Sequence, residues 1–205
     1  MTVSTSRRAF IIAGITSLAL FHPKTRAKAL TITSDVDAKT LDSSKTTPLG
    51  LYLTPKAAHQ ALLDNPDIIF VDVRDPIEIT FVGHPEGLDK IIPLHLASHE
   101  VDPESGQYRM VDNPGFLDDF TRFLTSKSVM KDHPIFIICR SGNRSATAAR
   151  LLIKAEYTNV WNLTEGFEGD KTPEGVRALN GWRNAGLPWS YKLAKGVAWG
   201  NQTVR

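Results

Sequence analysis

The chain has one cysteine, and its neighbours give that residue a chemistry. Cys139 stands in Ile138-Cys139-Arg140-Ser141-Gly142-Asn143-Arg144-Ser145. Four apolar residues, Ile135 to Ile138, precede it and read as a buried strand, while Ser145 to Ala155 reads as a helix. A short loop that ends at a helix N-terminus turns several backbone N–H groups into one concavity, and such a cradle stabilises an anion. The anion would be the thiolate, a persulfide formed on it, or an incoming oxyanion. Helix N-termini and nearby arginines favour thiolate over thiol. Arg140 and Arg144 supply permanent positive charge, and Gly142 frees the chain for the bend. A lone cysteine is by default a buried, inert residue. Here strand, loop, two arginines, glycine and helix coincide, and the reactive reading is preferred.

The elements that must hold this loop can be read outward from it. Thr54-Pro55 has the form of an N-cap followed by proline at the first helical position, with Ala57, Ala58, Ala61 and Leu62 as the apolar stripe. Ile68 to Val73 is a short β-rich run of the kind buried in parallel sheets. Ile91-Ile92-Pro93 is a weaker strand candidate, and Val160-Trp161-Asn162-Leu163 a further one. Asn113-Pro114 opens a helix expected to carry Phe116, Leu117, Phe120, Phe123 and Leu124 on one face. Residues 98–112 are polar and read as a loop. Strands alternating with helices predict an α/β fold with a mostly parallel central sheet and helices on both faces. In such folds ligands bind at the C-terminal edge of the strands, where Cys139 falls.

Composition narrows the classes. One cysteine among 205 residues excludes an intrachain disulfide framework, a cysteine-rich zinc site and an internal Cys-x-x-Cys pair. His95 and His99, four apart, would need a third ligand to hold a metal, so no metal is assigned and no cofactor is expected. The formal charge of +2 is unevenly spread. Residues 1–29 hold Arg7, Arg8, Lys24, Arg26 and Lys28 and no acid; without them 19 basic residues face 22 acidic ones, a net of −3. Basicity therefore gives no support for a nucleic-acid partner. The same 29 residues read as an export signal: a charged front, a modestly apolar middle from Ala9 to Phe21, and an Ala27-Lys28-Ala29 end. Arg7-Arg8-Ala9-Phe10-Ile11 resembles the twin-arginine motif. Cleavage after Ala29 would leave 176 residues in the periplasm, with no stable membrane anchor. Residues 30–53 read as an exposed lead-in, and residues 190–205 as a tail.

The cysteine segment resembles the active-site loop of single-domain rhodanese-like sulfurtransferases. Val71-Asp72-Val73-Arg74-Asp75 with Glu78 is similar to that family's first-strand signature. Gly83-His84 followed by Ile92-Pro93 is similar to its Gly-His…Pro segment, with shifted spacing. Asn159 to Leu163 with Gly166-Phe167, and Trp182 with Ala185 to Pro188, are similar to its C-terminal part. The resemblance spans residues 54–189. It implies a rhodanese-like α/β domain in which Cys139 takes the outer sulfur of thiosulfate or a similar small anion. Arg140, Ser141, Gly142, Asn143, Arg144 and Ser145 would bind the anion and the persulfide. With no second cysteine, the acceptor must be external: a thiol, cyanide or a protein. Relatives that act on phosphate or arsenate place an arginine after five intervening residues; here Arg144 comes after four, which resembles the sulfur-transfer type. Asp72 and Arg74 either support the loop from the neighbouring strand end or form a surface ion pair or strand cap. His84 is expected to hold a structural hydrogen bond, and Trp161, Trp182, Trp189 and Trp199 to pack. Residues 98–112 and 168–181 and the tail exceed the compact family pattern. These additions motivate an alternative, a rhodanese-fold module that binds sulfur or an oxyanion, or docks a partner, without turnover.

Overall fold

A computed structural model describes residues 31–200. The leader, residues 1–29, lies outside the described residues. A five-stranded parallel sheet is ordered β1 (Tyr52–Leu53), β8 (Val160–Leu163), β7 (Ile135–Ile138), β2 (Ile69–Asp72) and β4 (Lys90–Ile91). Strand residues alternate between two apolar layers, as the pleat demands. Ile69, Val71, Ile135 and Ile137 face α3 (Phe116–Ser126) and α4 (Asn143–Lys154). Phe70, Phe136 and Ile138 face α1 (Pro55–Asp64) and Ile79 of α2 (Pro76–Val82). The expected sheet with helices on both faces is therefore present.

Register places the site. β2 and β7 pair from Ile69 with Ile135 to Asp72 with Ile138, so Val73 and Cys139 leave the sheet side by side. The Val73 amide still donates to the Ile138 carbonyl at 2.9 Å. The helix that follows Cys139 begins at Asn143, two residues before the expected start, so Asn143, Arg144 and Ser145 form its first turn.

Two elements differ from the sequence reading. Residues 98–112 are not a loop: β5 (His95–Val101) and β6 (Tyr108–Asp112) form an antiparallel hairpin. Both its faces are largely solvent-exposed, so no alternation of apolar and polar residues betrays it. Helix α2 was not anticipated either. It has seven residues and buries only Ile79, too little to set up a periodicity. Its signal was a capping box: the Asp75 carboxylate accepts from the Ile77 amide at 2.7 Å, and Glu78 accepts from the Asp75 amide at 3.1 Å. In α3, Leu117 points outward while Phe116, Phe120 and Leu124 are buried.

The flanking segments lie along the sheet. The amide of Tyr52 donates to Ser34 Oγ at 3.0 Å, and that of Thr54 to Asp35 at 2.8 Å. Two 3₁₀ turns, Ala38–Thr40 and Ser43–Lys45, follow, and Arg150 of α4 donates to the Thr46 carbonyl. At the other end β9 (Trp189–Ser190) pairs with β3 (His84–Pro85). Beyond it the Ile91 amide donates to the Val197 carbonyl at 2.8 Å, and Lys90 Nζ to the carbonyls of Gly196 and Ala198. Trp161 and Trp182 are buried in the α1-side core, with Trp189 and Trp199 packed against it.

Candidate active site

Cys139 is 1% exposed at the floor of a pocket of about 520 Å³. Its Sγ accepts a hydrogen bond from the Gly142 amide at 3.2 Å and lies 3.3 Å from Ser145 Oγ. The loop that does this is locked from behind. The amide of Phe167 donates to the Cys139 carbonyl at 2.8 Å, and those of Glu168 and Gly169 to the Arg140 carbonyl at 3.0 and 3.2 Å. In a planar trans peptide the carbonyl and the following N–H point in opposite directions. Tying those two carbonyls to residues 167–169 therefore turns the Arg140 and Ser141 amides to the loop's other side. The first-turn amides of α4 have no acceptor within the helix and add to the same electropositive end.

Two glycines are required. Gly142 has φ +98°, and a Cβ there would sit 2.0 Å from the Thr164 carbonyl oxygen. Gly166 has φ +66°, and its Cβ would meet the Arg140 carbonyl carbon and the Ser141 nitrogen at 2.5 Å. The turn after β8 thus packs backbone to backbone against the cysteine loop.

Beneath the thiol lies a fully satisfied polar network. Asn162, wholly buried on β8, donates through Nδ2 to the carbonyls of Lys45 and Gly142. Its Oδ1 lies 2.6 Å from Ser145 Oγ. The two carbonyls fix the amide's orientation, so Oδ1 accepts and Ser145 donates to it. In the sequence Asn162 shows only as a polar residue within a strand.

The two loop arginines are both paired. Arg144 makes a bidentate pair with Glu78 of α2, at 2.5 and 2.6 Å. Burial alone would push the Glu78 carboxyl up. The hydrogen bonds and charge of Arg144, the charge of Arg74 and the Asp75 amide outweigh burial and hold it below the ordinary carboxylate range. Burial likewise opposes the Arg144 charge, but Glu78, Cys139 and Asp72 raise its pKa overall. Arg140 Nε donates to Glu168 at 3.1 Å from a more exposed position. Neither Glu78 nor Glu168 is marked as an arginine partner by any local pattern in the sequence.

Asp72 and Arg74 form an ion pair with both side chains 0% exposed, so it is not a surface pair. The Arg74 guanidinium lies 4.4 Å above the Phe167 ring and donates to the Gly83 carbonyl at 2.9 Å. The backbone amide of the same Phe167 donates to the Cys139 carbonyl, so the pair packs against a residue that is bonded to the loop. Ser141 and Asn143 line the pocket with Arg140 and Arg144, while Gly142 and Ser145 are buried behind them.

The pocket rim is apolar. Ile77 and Phe81 of α2 and Tyr108 and Met110 of β6 stand around the mouth, with Phe81 76% and Tyr108 67% exposed. A wider polar pocket of about 910 Å³ opens beside the loop and shares Ser141, Asn143 and Arg177, but Cys139 does not line it. His84 is buried with Nδ1 2.7 Å from the Pro85 carbonyl oxygen, and it faces the tail rather than Cys139. His95 and His99 lie on a strand, not a helix, and His95 pairs with Asp112 at 3.1 Å. Among the described residues no group of three or more His, Cys, Asp or Glu is placed to hold a metal.

This loop, at the end of a central parallel strand and the start of a helix, defines the class. The Rhodanese-like domain model matches residues 54–172, and the chain belongs to that family. It is 32% identical over 136 residues to an uncharacterised protein of Rickettsia prowazekii, covering 65% of this chain and 92% of the other. It is 32% identical over 108 residues to a sulfurtransferase of Allochromatium vinosum, covering 53% and 76%. Among solved structures, Rv0390 from M. tuberculosis shares 33% identity at a TM-score of 0.53, covering 69% of this chain and 97% of that one.

Proposed function

We propose that the protein is a sulfurtransferase that carries sulfane sulfur on Cys139. The observation that carries this reading is the Cys139 thiol at the pocket floor, with the Gly142 amide donating to Sγ at the N-terminus of α4. The similarity to the Allochromatium vinosum sulfurtransferase supports it.

In the first half-reaction the Cys139 thiolate attacks the outer sulfur of thiosulfate or a similar anion. An Sγ–S bond forms, the donor's S–S bond breaks, and its electron pair leaves with sulfite. The loop amides stabilise the charge that remains on the outer sulfur of the persulfide. In the second half-reaction an external thiol, cyanide or protein thiolate attacks that sulfur, and the electron pair returns to Sγ. With one cysteine in the chain, the two half-reactions share no internal relay, and ping-pong kinetics follow. Intact mass after incubation with thiosulfate tests the chemistry. A gain of one sulfur atom, absent from Cys139→Ser, is the expected result; no gain on a free thiol overturns it.

The leader supports export by the twin-arginine route and work in the periplasm. Cell fractionation of the wild-type chain against an Arg7→Lys, Arg8→Lys variant checks this. Export unaffected by the change would remove the twin-arginine route.

A further inference from the structure

Three guanidinium groups reach the Cys139 pocket, and only two have a carboxylate. Arg144 is matched by Glu78 and Arg140 by Glu168. Arg177, the third, lines the same pocket and makes no ion pair within 4.0 Å among the described residues. Its Nη1 donates to the Gly169 carbonyl at 2.5 Å, and its Nε is buried with no hydrogen-bond partner. Asp170, whose charge also acts on Arg177, is taken by Lys45 at 2.9 Å and by Asn180.

Arg177 is also held in place. The 168–181 segment folds back on itself through the Lys171–Arg177 bridge and the Thr172 amide on the Val176 carbonyl at 2.7 Å. Asn180 Oδ1 accepts from the Asp170 amide, and Asn184 Nδ2 donates to the carbonyls of Glu168, Arg177 and Asn180. Gly169 and Gly181 let the two strands of this fold touch, since a Cβ on Gly169 would lie 1.8 Å from the Asn180 carbonyl oxygen. The segment thus presents a fixed cation on the lining of the Cys139 pocket, with no carboxylate paired to it among the described residues.

We propose that Arg177 is the donor-binding residue of this site, holding the oxyanion end of a sulfane donor while Cys139 attacks the outer sulfur. The proposal rests on the sulfurtransferase reading and deepens it. The favoured substrates are donors whose leaving group is an oxyanion, such as thiosulfate leaving as sulfite or an organic thiosulfonate leaving as sulfinate. In both, the sulfur–sulfur electron pair departs with the group that Arg177 neutralises. Burial, and after it the charge of Arg140, lower the Arg177 pKa against the opposing pull of Glu168 and Asp170, with Arg144 adding least.

The test compares Arg177→Ala and Arg177→Lys with the wild type in thiosulfate-to-cyanide transfer, and in thermal denaturation with and without sulfate. Arg177→Ala should raise the KM for thiosulfate roughly tenfold or more, the scale of one lost charged hydrogen bond. The KM for cyanide should stay put, and Arg177→Lys should recover part of the loss. Sulfate should stabilise the wild type more than Arg177→Ala. A thiosulfate KM within twofold of wild type and an equal sulfate effect would overturn the assignment. If the wild type takes no sulfur from thiosulfate, the sulfurtransferase reading fails, while the sulfate comparison still decides whether Arg177 binds oxyanions. Should Arg177→Ala not fold, Arg177→Gln and Arg177→Lys carry the same comparison.

Discussion

The floor and the rim of the Cys139 pocket are built on opposite terms. The floor is backbone held by backbone: two glycines in close approach, carbonyls tied to residues 167–169, and a buried amide whose hydrogen bonds are all filled. The rim is side chain exposed to solvent: Ile77 and Phe81 on a short helix, Tyr108 and Met110 on an exposed hairpin. Arg144–Glu78 is the joint between them, running from the first turn of α4 to α2. A floor of this kind fixes one reacting geometry, whereas a rim of this kind can change without disturbing it. The difference teaches that the cysteine loop and the surface around its mouth are separable in this molecule.

Substitutions in the floor should break it. Cys139→Ser should reduce sulfur transfer to background while leaving the thermal midpoint close to wild type, checked by intact mass and by calorimetry. Asp72→Ala should be the most damaging change to stability, costing roughly 3–5 kcal/mol, because it strands a fully buried guanidinium. Urea denaturation measures that loss.

The joint gives an intermediate effect with a pH signature. Glu78→Gln should cost about 1–3 kcal/mol by removing a charge-assisted bidentate pair. The folded-state pKa of Glu78 lies below its ordinary 4.5. Its contribution is therefore full above that value and is lost as pH falls through the lower folded value. Wild-type and Glu78→Gln stabilities should differ most at neutral pH and converge in acid; a gap that is constant with pH would contradict the ion pair.

The rim should respond least. Phe81→Ser and Tyr108→Ser should each change stability by no more than about 0.5 kcal/mol, since both side chains are already in water. A larger loss in denaturant titration would mean that the rim is part of the floor after all.

The same contrast explains what could be read in the sequence. Cys139 and its loop were legible because the strand before it is four consecutive apolar residues and the helix after it is periodic, both local signals. The partners were not. Glu78 meets Arg144 across 66 positions, Glu168 meets Arg140 across 28, and Asn162 meets Ser145 across 17. Such distances are set by sheet order, which no local pattern encodes. Arg177 was hidden for another reason: it sits in a polar stretch whose order comes from backbone turns and asparagine side chains rather than from an apolar face. The hairpin failed for want of an apolar side, whereas α2 carried a capping box that sequence alone could have revealed.

The segments flanking the matched family span meet the outermost strands of the sheet. Ser34 and Asp35 take the amides of Tyr52 and Thr54, and the Val197 carbonyl takes that of Ile91. An open strand edge is a template on which a second chain can add by β-pairing. Trimmed to residues 54–172, this domain would lose its first strand and its covering tail together and bare both margins of the sheet. The lead-in and tail cover those margins, and the cost of removing them should appear as aggregation in light scattering before it appears as lost chemistry.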